Sequence, residues 1–207
     1  MLTFYTYPGP NARKAKIMLE ESGLPYQSKL VDIEKREQFE PAFLAISPGN
    51  KIPAIVDTDA NGQSTAVFET GAIMIHLAEK CGRFLPTFYP DRSRTLAWLV
   101  WSVTGLGSTL PQVHYFGDRA DETPPAVLDR FVSEAVRLFH LLEKRLGESE
   151  YLMKDYTIAD IPTFTSTAGM LADVKRLSNG QLTETPSIDR WIDAINARPA
   201  VQRALAN

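Results

Sequence analysis

The hydrophobic pattern of this chain changes period near residue 80, and that change limits the possible folds more than any single motif does. Before it, strand-like and helix-like runs replace one another every dozen residues or so; after it the spacing stays helical. Leu2, Thr3, Phe4 and Tyr5 form a short apolar and aromatic run suited to a buried strand. Pro8, Gly9, Pro10 and Asn11 break it, Ala15, Met18 and Leu19 follow at helical spacing, and Gly23 stands where a helix stops. Residues 26–31 read as a second strand, which closes a βαβ unit. The charged stretch 34–40 leads into a short helix over 41–46. Residues 51–57 read as a third strand, which the Asn61-Gly62 turn returns to 65–68 as a hairpin. Residues 70–80 read as a helix apolar almost all round, and such a helix is covered on more than one side.

Gly82, Pro86 and Pro90 mark 82–91 as a linker. Beyond it Leu128, Phe131, Ala135, Leu138, Leu142 and Leu146 step by three or four, which predicts a long amphipathic helix. Thr157-Ile158-Ala159-Asp160 has the Thr-x-x-acid form of a helix N-terminus, offering a hydroxyl to an orphan amide and a carboxylate to the positive end of the dipole. Pro162 then requires either a kink or a later helix start. The expected fold class is α/β plus all-α: an α/β domain over 1–81, a linker over 82–91 and an all-helical domain over 92–207.

Composition closes several functional classes. A formal charge of −3 gives no electrostatic case for nucleic acid or an anionic membrane as partner. No apolar run approaches the roughly 20 residues of a membrane span, and the first residues enter a strand rather than a signal peptide, so a soluble cytoplasmic protein is expected. Cys81 stands alone, which excludes an internal disulfide and a Cys-only metal site. His76, His114 and His140 are too far apart for a ligand spacing, so no metal is expected, and His76 reads as a hydrogen-bonded structural histidine. Gly105-Leu106-Gly107 lacks the lysine and the preceding strand of a phosphate loop. Trp98 and Trp101 read as core, or as the edge of a hydrophobic pocket.

Three segments carry chemistry. At Tyr7-Pro8-Gly9-Pro10-Asn11 a strand turns into a helix, placing free N–H groups and a positive dipole end at the carboxyl edge of the sheet, where an anion or thiolate is favoured. Asn11 either caps that helix or offers its amide to a ligand. At Phe68-Glu69-Thr70-Gly71, Thr70 and the adjoining amides suit a carboxylate and Glu69 an ammonium, with an ordinary helix cap as the alternative. Ile52-Pro53 opens a strand after a loop, is a candidate cis bond, and would leave backbone for strand-like pairing with an extended peptide. Together they describe a site for a short zwitterionic peptide bearing a thiol.

The run Ser47-Pro48-Gly49-Asn50-Lys51-Ile52-Pro53-Ala54-Ile55, followed by Phe68-Glu69-Thr70-Gly71-Ala72-Ile73 and Leu77-Ala78-Glu79-Lys80, resembles the cytosolic glutathione transferases. Tyr156-Thr157-Ile158-Ala159-Asp160-Ile161 is similar to the capping signature of their helical domain, so the resemblance spans essentially the whole chain. Pro10-Asn11, Glu37-Gln38-Phe39 and Ile46-Ser47-Pro48 look most like the bacterial nu class, associated with glutathione-dependent disulfide reduction. The resemblance implies a thioredoxin-like N-terminal domain, an all-helical C-terminal domain, a homodimer, and glutathione as co-substrate in the cleft between domains. It also implies that Ile52 pairs its backbone with the cysteinyl unit beside cis-Pro53. Glu69 and Thr70 would hold the γ-glutamyl end, Gln38 and Lys51 the glycine end, and Arg130 would reach the site from the helical domain. Asn11 is the implied catalytic residue, stabilising the thiolate by its amide. One departure stands out: Gly9 occupies a position where the nu class carries a hydroxyl residue. Tyr5 and Tyr7 lie near the place where other classes carry a catalytic tyrosine. The competing functions are conjugation or thiol-dependent cleavage of hydrophobic electrophiles, with Trp98, Trp101, Tyr115 and Phe116 lining a pocket, and a non-catalytic regulatory module of the same fold.

Overall fold

In a computed structural model, which describes residues 1–206, the first unit is a four-stranded sheet of order β2-β1-β3-β4 with helices on both faces. The strands are β1 (Leu2–Thr6), β2 (Tyr26–Leu30), β3 (Ala54–Thr58) and β4 (Ser64–Phe68), and the helices of this region are α1 (Pro10–Ser22), α2 (Pro41–Leu44) and α3 (Thr70–Cys81). β1 runs parallel to β2 and antiparallel to β3, and β4 is antiparallel to β3. Register fixes the faces. Leu2 pairs with Asp57 and Phe4 with Ile55, so these four share one face, while Tyr5 and its partner Ala54 share the other.

The helices follow from that alternation. His76 of α3 bonds the Asp57 carboxylate at 2.9 Å, which puts α3 on the Leu2–Phe4 face, and α1 packs against α3. On the opposite face Phe43 of α2 meets Tyr5 and packs with Val31, Ala54, Ile46 and Ile52. His76 is thus structural, as its apolar helix suggests. Lys80 reaches the same Asp57 oxygen at 2.8 Å. Burial works to raise the Asp57 carboxyl, and the bonds from Lys80 and His76 overcome it and hold the group below its ordinary value.

The segment Pro199–Leu205 belongs to this unit, a departure from the boundary read off the sequence, which counted it with the helical domain. Its helix α9 (Pro199–Leu205) buries Ala200, Val201 and Ala204, packs on α1, and joins it through Arg203 Nε to Glu20 Oε2 at 2.9 Å. Local period alone cannot say which layer a short terminal helix covers.

The second unit, Pro86 to Arg198, is helical. α4 (Asp91–Trp101) and α5 (Gly107–His114) join through a π-helical turn at Ser102–Leu106, and a second π turn, Tyr115–Arg119, ends the run. α6 (Pro125–Glu148) buries Val132, Ala135, Val136, Leu138, Phe139, Leu142 and Leu146, the stripe anticipated from the sequence. α7 (Asp160–Leu177) and α8 (Pro186–Asn196) complete the unit. Asp160 is wholly buried and accepts four hydrogen bonds, from the Leu152 and Thr157 amides, the Thr157 hydroxyl and the Trp191 indole. Thr157 Oγ1 in turn accepts from the Ala159 amide. That reciprocal arrangement starts α7 at Asp160, so Pro162 falls in the first turn, where an amide has no intrahelical partner to lose. The kink is unnecessary. No helix of the described residues is long and apolar enough to cross a membrane.

Candidate functional site

The sheet gathers the three chemistry-bearing segments at one edge. β1 ends at Thr6, and Tyr7 to Asn11 leave from its carboxyl end. Tyr5 pairs with Ala54, so Ile52-Pro53 sits at the same end of the neighbouring strand, and Ala54 pairs with Phe68, so Glu69-Thr70 emerges there too. Val31 N–H donates to Thr6 O at 2.9 Å, which releases the 32–40 segment, with Gln38, from that edge as well. Two interstrand spacings separate β1 from β4, about 10 Å in all, the scale of a short extended peptide. Backbone pairing alone therefore brings the segments of Asn11, Ile52-Pro53 and Glu69-Thr70 to one edge, and the segments that carry Gln38 and Lys51 leave or enter the sheet there.

Both helices that begin at this edge have bare N-termini. The first residue before α1 is Gly9, not Asn11, and no side chain caps the helix; Asn11 lies inside the first turn. Asn11 is exposed, and its Oδ1 accepts from Lys14 Nζ at 3.0 Å. An ammonium only donates, so this contact commits the oxygen and turns the Asn11 NH2 group away from Lys14, where it is free to donate. At α3, Glu69 occupies the N-cap position without capping, so the first amides of that helix are likewise left to a ligand. The ordinary-cap alternatives fail at both places.

Glu69 also carries backbone strain. Its φ of 70° with ψ of 126° is a conformation that residues with a Cβ rarely adopt. Such a residue costs of order 1–3 kcal/mol and persists where its neighbours over-determine it, commonly at ligand clamps. Here the strained residue carries an exposed carboxylate immediately before the start of α3. The Ile52-Pro53 bond is cis, as the sequence suggests. Pro53 offers no N–H to a ladder, and β3 starts at Ala54, after the proline and not at Lys51.

The flanking residues are placed with less commitment. Gln38 lies in a 3-10 turn, Glu37–Phe39; its Nε2 makes a long 3.4 Å contact to Ile33 O, and its Oε1 is buried without a partner. Lys51 is exposed at the end of a turn closed by Ser47 Oγ donating to Lys51 O at 2.8 Å. Arg130 is exposed on α6 in the second unit. There the nearby Arg137, through a hydrogen bond, and more weakly Arg130 hold the Glu134 carboxyl below its ordinary value.

Neither tyrosine is arranged as a thiol activator. Tyr5 faces Phe43 at 6.1 Å between centroids, with Lys29 over its ring. The Tyr7 hydroxyl is raised above its ordinary value, first by burial and then by the Glu34 carboxylate, a shift that disfavours the phenolate a thiol activator would use. The proposed aromatic wall also divides. Trp98 meets Trp101 edge to face at 5.1 Å and Tyr115 meets Phe116 likewise, while Phe116 stacks on Phe131. Roughly 20 Å of helical rise separates Trp101 from Tyr115, so the two pairs do not line one small pocket. Trp98 instead borders a cavity of about 550 Å³ with Pro86, Arg94, Arg145 and Met153. His114 does approach Asp118 and Asp173, a proximity the spacing of histidines could not reveal, but Arg176 bonds both carboxylates, at 2.9 and 3.1 Å.

Lys14 is the residue that sequence reasoning missed. It is only 4% exposed, and burial pushes its ammonium down to about 8. The available signal was a lysine three residues after Asn11 and four before Met18, on the apolar stripe of α1.

Residues 8–80 match the family model for the glutathione S-transferase N-terminal domain. The disulfide-bond oxidoreductase YfcG of Escherichia coli (strain K12) is 41% identical over 99% of this chain and 94% of its own length. This chain belongs to the glutathione transferase family. A crystal structure of a family member from Pseudomonas fluorescens with two glutathiones bound superposes with a TM-score of 0.91 at 39% identity, covering 99% of this chain and 92% of the other. A glutathione transferase from Pseudomonas putida with one glutathione disulfide bound per subunit gives 0.91 at 34% identity, covering 99% and 90%.

Proposed function

We propose that this transferase uses bound glutathione as a thiolate to reduce disulfides. The observation that carries the reading is the pair of uncapped helix N-termini at one sheet edge, one beside the Asn11 amide and the other beside Glu69. Glutathione has one group for each: its sulfur for the start of α1, its γ-glutamyl carboxylate for Thr70 and the start of α3, and its ammonium for Glu69. Ile52 offers the cysteinyl backbone a strand-like partner beside Pro53, and Gln38 and Lys51 take the glycine carboxylate. Arg130 is proposed as a further cationic contact on family resemblance alone.

A free thiol with a pKa near 8.5 is mostly protonated at neutral pH, and the thiolate is the nucleophile. A side-chain amide is not a base, so Asn11 stabilises the anion rather than removing the proton. Lowering the thiol pKa by one unit requires about 1.4 kcal/mol, within reach of one or two charge-assisted hydrogen bonds. The thiolate attacks one sulfur of the substrate disulfide, forming a mixed disulfide and expelling the other sulfur as thiolate, which takes up a proton. A second glutathione thiolate attacks the mixed disulfide at the glutathione sulfur, giving glutathione disulfide and the second substrate thiol. Two glutathiones are oxidised and one disulfide is reduced. Cys81 is not required; it is half-buried at the end of α3, with its Sγ directed at Ala78 O.

The finer assignments are the nu class, cytoplasmic action where a glutathione pool exists, and a homodimer. The dimer is supported by β4, an edge strand whose residues, Phe68 included, are largely exposed, and by exposed Val100 on α4. Light scattering should give twice the 23.1 kDa subunit mass. The deciding experiment on function is Asn11→Ala, assayed with glutathione and a small model disulfide. The rate should fall by about ten- to a thousand-fold, the range for loss of one preorganised donor to an anion, while glutathione affinity changes far less. An unaltered rate would remove Asn11 from the mechanism.

A further inference from the structure

We infer that Lys14 is a positioning residue for the glutathione thiolate, holding the Asn11 side chain from beneath so that its NH2 group is presented to the sulfur. The inference rests on the thiolate reading of Asn11 given above. Three observations carry it. Lys14 is nearly sealed in the first unit, whereas a lysine on the solvent side of a helix keeps its ammonium in water. Its hydrogen-bond partner is Asn11 Oδ1 at 3.0 Å, one turn back on the same helix face. The Asn11 end of the pair is exposed, at the edge where the other ligand-directed groups converge.

The chemistry follows from the donor inventory. An asparagine amide at a helix N-terminus can present either its oxygen or its nitrogen to a ligand, and an oxygen facing a thiolate repels it. A donor-only partner on the buried side removes the choice. Polarisation of the amide carbonyl by the ammonium also strengthens the N–H as a donor. Burial pushes Lys14 down to about 8, so the cation is retained at neutral pH despite its surroundings. A merely structural role would be served at least as well by methionine, which has nearly the same length and no charge to desolvate.

The test is a double-mutant cycle of Lys14→Met and Asn11→Ala on the full-length protein, with Lys14→Arg as the conservative variant. Three quantities are read: kcat with a small model disulfide, KM for glutathione, and the pKa of the bound thiol from its thiolate absorbance. Lys14→Met should lower kcat about ten-fold and raise the thiol pKa by about one unit, the two being the same 1.4 kcal/mol, while KM moves less than about three-fold. In the Asn11→Ala background the same change should add almost nothing, because the group through which Lys14 acts is gone. Lys14→Arg should restore the thiol pKa if its longer fork is accommodated, and circular dichroism of each variant establishes folding. An unmoved thiol pKa in a folded Lys14→Met protein overturns the inference. An undiminished effect in the Asn11→Ala background also overturns it, since Lys14 would then act on the sulfur directly. If Asn11→Ala alone leaves kcat and thiol pKa unchanged, the thiolate reading itself is at fault.

Discussion

Replacing Lys14 by Met should stabilise this protein, and the size of the effect can be worked from the burial. The side chain is 4% exposed, and its ammonium is pushed from 10.5 down to about 8 by desolvation. A difference of about 2.5 pKa units at 1.36 kcal/mol each means that the charged form costs the folded state roughly 3 kcal/mol. The bond to Asn11 Oδ1 ends at an exposed residue that water can serve, so its loss returns only about 1 kcal/mol. The net expectation at pH 7 is a gain of about 2 kcal/mol for Lys14→Met. The sign with pH is fixed by linkage. Below pH 8 both folded and unfolded chains hold the proton and the full cost is present; between about 8 and 10.5 the unfolded chain still binds it and the folded chain does not. Wild-type stability from this group therefore rises with pH across that window, and the advantage of the variant shrinks. Urea unfolding at fixed protomer concentration, at pH 7 and pH 10, measures both. The variant should have the higher midpoint at pH 7 and the gap should close by pH 10. A wild type that is the more stable at pH 7, or a gap that does not change with pH, would refute the reasoning.

Other expectations are as direct. Glu69→Gly should relieve the positive φ and stabilise the fold by about 1 kcal/mol, yet weaken glutathione by roughly 1.5–3 kcal/mol, read by calorimetry; unchanged affinity would mean the γ-glutamyl end lies elsewhere. Gly9 has no atom within 4 Å of where a Cβ would stand and its φ of 166° is extended, so Gly9→Ser should fold normally, gain a few tenths of a kcal/mol as a helix cap, and raise the disulfide-reduction rate by adding a hydroxyl beside Asn11. Cys81→Ser should keep most of that rate, because both reducing thiols come from glutathione; its loss would point to a protein-thiol relay. Asp160→Ala should cost about 3 kcal/mol or more in urea unfolding, since it strands four buried donors, two of them backbone amides.

The order of elements, the change of period near residue 80, the Ile52-Pro53 opening of a strand and the Glu69-Thr70 start of a helix were all legible in the sequence, because each depends on interactions within a few residues. The family motifs are legible for the same reason: they are contiguous. What sequence alone left open was settled by pairing and burial. The cap reading of Asn11 was removed by an extended Gly9 taking the cap position, and its oxygen is claimed by the Lys14 ammonium. Pro162 was decided by Asp160, which gathers donors from Leu152 and from Trp191, 31 residues away, and so starts α7 just before the proline. The place of α9 was decided by the face of α1 that needed covering. Above all, charge type is written in the sequence but desolvation is not. A lysine three residues from an asparagine is an ordinary surface pair until the packing of the first unit seals one end of it, and only then does its charge become something the neighbouring amide must answer.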